Sequence, residues 1–145
     1  MISCTEFIMS YSELFKYLEE HHGEDGVMEF WEALSDEFLQ NLRTLVSEKG
    51  IPGMLEYWTH TLGEEGALHD MWATDDEFHI EMYRCPSVGI LRRATHMERY
   101  PRYCDHCDTL YRRIIEQYGF DYDIKLIDED AGICKLTVRK RQPAA

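Results

Sequence analysis

Residues 103–111, Tyr-Cys-Asp-His-Cys-Asp-Thr-Leu-Tyr, hold two thiols three positions apart, with an imidazole and two carboxylates between and beside them. Cysteine serves as a metal ligand or as a nucleophile once ionised, and as a small apolar side chain when it is not. A metal site would use Cys104 and Cys107 together with Cys85 and Cys134, four thiolates around zinc or an iron–sulfur cluster. The spacing is acceptable. Structural zinc sites, however, pair two such motifs on tight turns, and this one falls within a helix. A nucleophilic site would instead let one thiolate attack an electrophilic carbon while an acid or base handles the protons. His106 and Asp108 stand beside Cys107 in sequence for that role, but helix neighbours point about 100° apart. The attendant of Cys107 is therefore also sought on a strand, where His79 and Glu81 share the face that leads to Cys85. Plain burial of the four thiols is the third option, since cysteine is among the most buried residue types.

Positions 103, 104, 107, 110, 111, 114, 115 and 118 form one apolar stripe of a helix expected to start at Pro101 and end at Gly119. Cys104, Cys107 and Tyr111 then face inward, and Cys104 lies in the first turn, where the helix dipole favours a thiolate. Cys134 alternates onto the face of Leu136 and Val138, and Cys85 closes a strand before a helix opened by Pro86.

Upstream, Ser10-x-x-Glu13 has the form of a capping box, followed by Tyr11, Leu14, Phe15 and Leu18 at helical spacing, with His21-His22-Gly23 ending the helix. A second stripe runs from Val27 through Phe30, Trp31, Leu34, Phe38 and Leu42 to Val46 and stops at Gly50. Pro52 opens a third helix with Leu55, Trp58 and Leu62, closed by Gly63 and Gly66. After Gly66 the period changes to two. One hairpin turns at Asp75-Asp76, with Phe78, Ile80 and Met82 opposite His79, Glu81, Tyr83 and Cys85. Another turns between Asp128 and Gly132, with Tyr122, Ile124, Leu126, Cys134, Leu136 and Val138 on one face. The order ααα-ββ-αα-ββ predicts an α+β fold, N-terminal helices followed by a four-stranded antiparallel sheet packed on helices. A single domain is expected over 1–145, residues 1–66 forming its helical part and 67–145 the α+β part with the cysteines.

The 145 residues carry 15 Lys+Arg against 28 Asp+Glu, a formal charge of −13. So acidic a protein repels phosphate backbones and anionic membranes, so neither nucleic acid nor membrane is expected as a partner. No run approaches the roughly 20 apolar residues of a membrane-spanning helix. Glu6 stands where a signal peptide would be basic, and five cysteines do not make a disulfide framework, so a cytoplasmic setting is expected.

From about Phe78 to Val138 the chain resembles the L-2-amino-thiazoline-4-carboxylic acid hydrolase family. The resemblance lies in a strand ending Tyr-Arg-Cys-Pro, the 103–111 helix, a Tyr-Gly-Phe-Asp-Tyr-Asp-Ile strand and a closing Asp-Ala-Gly-Ile-Cys-Lys-Leu-Thr-Val with its Gly-x-Cys. The matching positions are Cys85, Cys107 with Asp108, and Gly132 with Cys134. It implies hydrolytic opening of a cyclic C=N or amidine bond in a small amino-acid-like compound. Cys107 would be the nucleophile, Asp108 or His106 the proton carrier, and Cys85 and Cys134 pocket or metal residues. A rival reading is a non-catalytic domain that binds a small ligand, or zinc through the four cysteines. A third is a dimerisation domain, two copies meeting through the aromatic N-terminal helices.

Overall fold

A computed structural model describes residues 4–143. Among the described residues the fold is α+β: five α-helices and one four-stranded antiparallel sheet of order β1-β2-β4-β3. Helix α1 (Cys4–Ala33) is broken at Gly23, whose φ of 72° is open to glycine at little cost. The expected helix end at Gly23 is thus a kink between two helical arms. Ser10 lies inside the first arm, so its spacing to Glu13 does not mark a helix start.

The second apolar stripe is not one helix. A π-helical turn over Leu34–Phe38 separates α1 from α2 (Gln40–Lys49). The turn puts Ser35 in the interior, where its hydroxyl donates to the Leu110 carbonyl at 2.7 Å. Helix α3 (Ile51–Glu65) follows with Pro52 in its first turn, and it runs through Gly63 to Gly66.

Strands β1 (Leu68–Ala73) and β2 (Glu77–Arg84) form the first hairpin, and β3 (Phe120–Asp128) and β4 (Ile133–Lys140) the second. The hairpins join through β2 and β4. Between them lie α4 (Pro86–Arg93) and α5 (Asp105–Gln117). Helix α5 begins four residues after Pro101, because residues 101–104 form turns and Cys104 is the residue before the helix.

Alternation assigns the sheet faces. Phe78, Ile80, Met82, Tyr122, Leu136 and Val138 are buried against the helices. The other face carries Glu77, Glu81, Lys135 and Arg139 in cross-strand ion pairs at 2.7 to 2.8 Å. Two apolar clusters result. One joins α2, α3 and α5 to the sheet through Leu42, Met54, Trp58, Phe78, Ile114 and Val138. The other joins α1 to α4 and the 100–103 segment through Phe15, Val27, Trp31, Leu91, Tyr100 and Tyr103. Ser12, fully buried, accepts a hydrogen bond from the Tyr100 amide at 2.9 Å, which ties α1 to that segment. Among the described residues, no helix is long and apolar enough to cross a membrane.

Candidate functional site

The two clusters leave a cavity of about 520 Å³ between them. Phe7, Ile8, Tyr11 and Leu14 on α1 form one wall, at helical spacing. Tyr57, Trp58, Leu62 and Glu65 on α3, and His106, Cys107, Leu110 and Tyr111 near and on α5, form others. The sheet supplies Ile80, Met82, Tyr122, Ile124, Leu126, Cys134 and Leu136. Phe7, Leu14, Phe38 and Leu126 line it while remaining exposed, and so edge its opening with apolar surface.

Cys85, Cys104, Cys107 and Cys134 all line this cavity. Cys134 arrives there by register, opposite Met82 on one side and Leu126 on the other. Cys85 does not follow the alternation predicted for it. Strand β2 stops at Arg84, and the turn into α4 swings Cys85 back to the cavity side. Gly132 holds that turn in place. Its carbonyl accepts the Cys85 amide at 2.9 Å, and a Cβ on it would stand 3.1 Å from both the Cys85 Cβ and the Val88 Cβ.

The four thiols converge without forming a metal site. Among the described residues, no group of three or more His, Cys, Asp or Glu side chains is arranged to hold a metal ion. Burial, moreover, pushes the Cys104, Cys107 and Cys134 thiols up to about 12 and raises that of Cys85. The expected thiolate at Cys104 is overturned for this reason: desolvation among apolar walls outweighs the helix dipole.

His106 contacts Cys107, although the two are helix neighbours. The imidazole sits among the rings of Tyr11, Phe15, Trp31 and Tyr103, 4.8 to 6.4 Å between centroids. Its Nδ1 bonds to the Tyr103 carbonyl. A carbonyl only accepts, so Nδ1 carries the proton and Nε2 is left as an acceptor. That nitrogen faces the Cys107 Sγ at 3.7 Å. Enclosure lowers the His106 pKa to about 4, despite the Tyr103 carbonyl and Asp105, which act the other way. The pair at rest is a thiol beside a neutral imidazole.

Three further expectations are corrected. Asp108 does not line the cavity; its carboxylate is taken by Arg112 at 2.7 Å on the flank of α5. His79 and Glu81 lie on the opposite face of the sheet. There His79 stacks on Trp72 at 4.9 Å and bonds to Glu77 at 2.9 Å, and Glu81 pairs with Lys135 at 2.7 Å. Tyr111 is where the stripe put it, edge-on to Trp58 at 5.3 Å. Glu65, Tyr57, Tyr11 and Tyr122 are cavity residues that sequence reasoning missed. For Glu65 the signal was available, because it continues the Trp58 and Leu62 stripe by one more turn.

No family model, curated protein or solved structure matches the chain.

Proposed function

We propose that this protein binds a mainly apolar small molecule in the cavity between its two clusters. The observation that carries this reading is the cavity itself, about 520 Å³ and walled chiefly by aliphatic and aromatic side chains. That size lies within the range of small-molecule sites, which join apolar walls to a few polar groups. Here the polar groups include the four thiols, His106, the hydroxyls of Tyr57 and Tyr111, and the carboxylates of Glu65, Asp128 and Glu129. In this reading the thiols are uncharged lining rather than ligands of zinc. Their free state supports the reducing cytoplasm as the setting. Binding is tested with a neutral hydrophobic dye, Nile red, whose emission rises on transfer out of water. The wild type should bind it at a single site, and Cys134→Phe, which fills the space with a ring, should abolish binding while the folded circular-dichroism spectrum persists. Equal dye binding by the filled variant would remove the cavity as the site.

A second reading, favoured by the 3.7 Å contact of Cys107 with His106, is ring-opening hydrolysis of a C=N bond. Sγ would add across the C=N bond, its proton passing through Nε2 to the ring nitrogen. The exocyclic amino group of the amidine would then expel that nitrogen as an amine, giving up one of its own protons to it through His106. Water would then release the acyl-type product from sulfur, with His106 again as base. The resemblance over residues 78–138 supports this chemistry. Two points weigh against it: burial raises the pKa of the thiol, and among the described residues no lysine or arginine lines the cavity to receive the carboxylate of an amino-acid-like substrate.

A further inference from the structure

The charges around the cavity are all of one sign. Among the described residues its lining includes Glu65, Asp128 and Glu129, and neither lysine nor arginine. Arg99 is a cation that acts on a lining thiol, Cys104. Its guanidinium is already committed to the Glu129 carbonyl at 2.7 Å and the Asp130 carboxylate at 2.9 Å.

Glu65, at the C-terminal end of α3, is the acid that reaches the thiol-bearing region. Its negative charge is felt by Tyr57, Tyr111, Cys85 and Cys107. Glu65 is exposed at the end of α3, none of the hydrogen bonds or ion pairs among the described residues reaches its carboxylate, and its charged neighbour is the like-charged Glu64. Beside it stands an aromatic wall. Trp58 lies edge-on to both Tyr57 and Tyr111 at 5.3 Å. An uncompensated carboxylate next to electron-rich rings is the arrangement that attracts an organic cation. It repels an anion by the same terms, and the net charge of −13 adds a field of the same sense.

We infer that the ligand of this cavity is a hydrophobic organic cation, an amine or quaternary ammonium seated between Glu65 and the rings of Tyr57 and Tyr111, with its apolar body among the aliphatic walls. This rests on the reading of the cavity as a ligand site and adds to it the sign of the ligand's charge. A fatty acid or an amino-acid carboxylate would meet three acids and no free cation at the same walls.

Three probes of equal chain length separate the two claims: n-decyltrimethylammonium, n-decanol and n-decanoate, titrated calorimetrically below their micelle concentrations. The cation should bind about tenfold tighter than the alcohol, since one carboxylate and ring faces contribute an attraction of that order, and decanoate should bind weakest. Glu65→Gln should bring the cation-to-alcohol ratio close to one. Glu64→Gln removes the same charge from a residue outside the lining and should preserve the ratio, which distinguishes a local contact from the general field. Decanoate binding as tightly as the cation, or a ratio indifferent to Glu65→Gln, would overturn the inference while leaving the cavity a ligand site. Failure of all three probes to bind would overturn the ligand site and the inference together.

Discussion

Alkylation of Cys107 measures how the site rests. Burial moves its thiol from about 9 up to about 12, with the negative charges of Glu65 and Asp108 adding to the shift. Each unit lowers the thiolate fraction near neutral pH about tenfold, so three units lower it roughly 10³-fold. A more basic thiolate is intrinsically more nucleophilic, which recovers about one decade. The native chain should therefore react with iodoacetamide about a hundredfold more slowly at Cys107 than the urea-unfolded chain at the same pH. Restricted access through the mouth slows it further.

The assay is quenched labelling followed by mass spectrometry of the tryptic peptide from Tyr103 to Arg112, which contains both Cys104 and Cys107, with fragment ions assigning each site. Cys85, Cys104 and Cys134 should be slow as well, since burial raises all three. Native labelling of Cys107 within a few-fold of the unfolded rate would refute the argument. It would mean that the thiol ionises inside the fold, with His106 holding its proton, and the hydrolytic reading would then displace simple binding.

Two more outcomes follow from the same geometry. The depressed His106 pKa means the fold favours the neutral ring, so its contribution is complete above about pH 6.5 and is lost as pH falls toward 4, on the order of 3 kcal/mol. Urea titrations across that window should show a loss that His106→Phe removes; Glu77 and Glu81, whose carboxyls are held below the usual range, release their share only at lower pH. Gly132→Ala should cost about 1–3 kcal/mol, because its φ of 71° is strained for any side chain and the new Cβ meets Cys85 and Val88. A melting temperature equal to wild type would show that this turn does not hold Cys85 in place.

Much of the fold was legible because period and burial are coupled. The α5 stripe of Cys107, Leu110, Tyr111, Ile114 and Ile115 and the face of Tyr122, Leu136 and Val138 emerge as read, since a residue's direction follows from its place in a regular element. The errors fall where regularity ends. Cys85 was carried one residue past the end of β2 by an alternation that no longer applied, and this drew His79 and Glu81 into a pocket on the wrong face of the sheet. Asp108 was judged by adjacency to Cys107, whereas one step along a helix turns a side chain away toward Arg112. The π-helical turn at 34–38 left no local mark, because its buried Ser35 finds its partner 75 residues away at Leu110.

The candidate site was harder to read for a different reason. A stripe records that a surface leaves water and says nothing about whether it meets another surface or an empty space. The α1 residues Tyr11 and Leu14 and the α5 residues Cys107 and Tyr111 look like core by every sequence criterion, yet all four border the cavity. The same gap decides the cysteines. Spacing and helix position favoured thiolates at Cys104 and Cys107, because those arguments count the nearby dipole and neglect the medium. Once the medium is an apolar cavity with an acidic lining residue at Glu65, desolvation and like charge both act to keep sulfur protonated. A ligand that brings positive charge to Glu65 would relieve one of those terms, so occupancy of the cavity and ionisation of Cys107 are coupled. Any reactivity of this thiol should rise when a cation is bound.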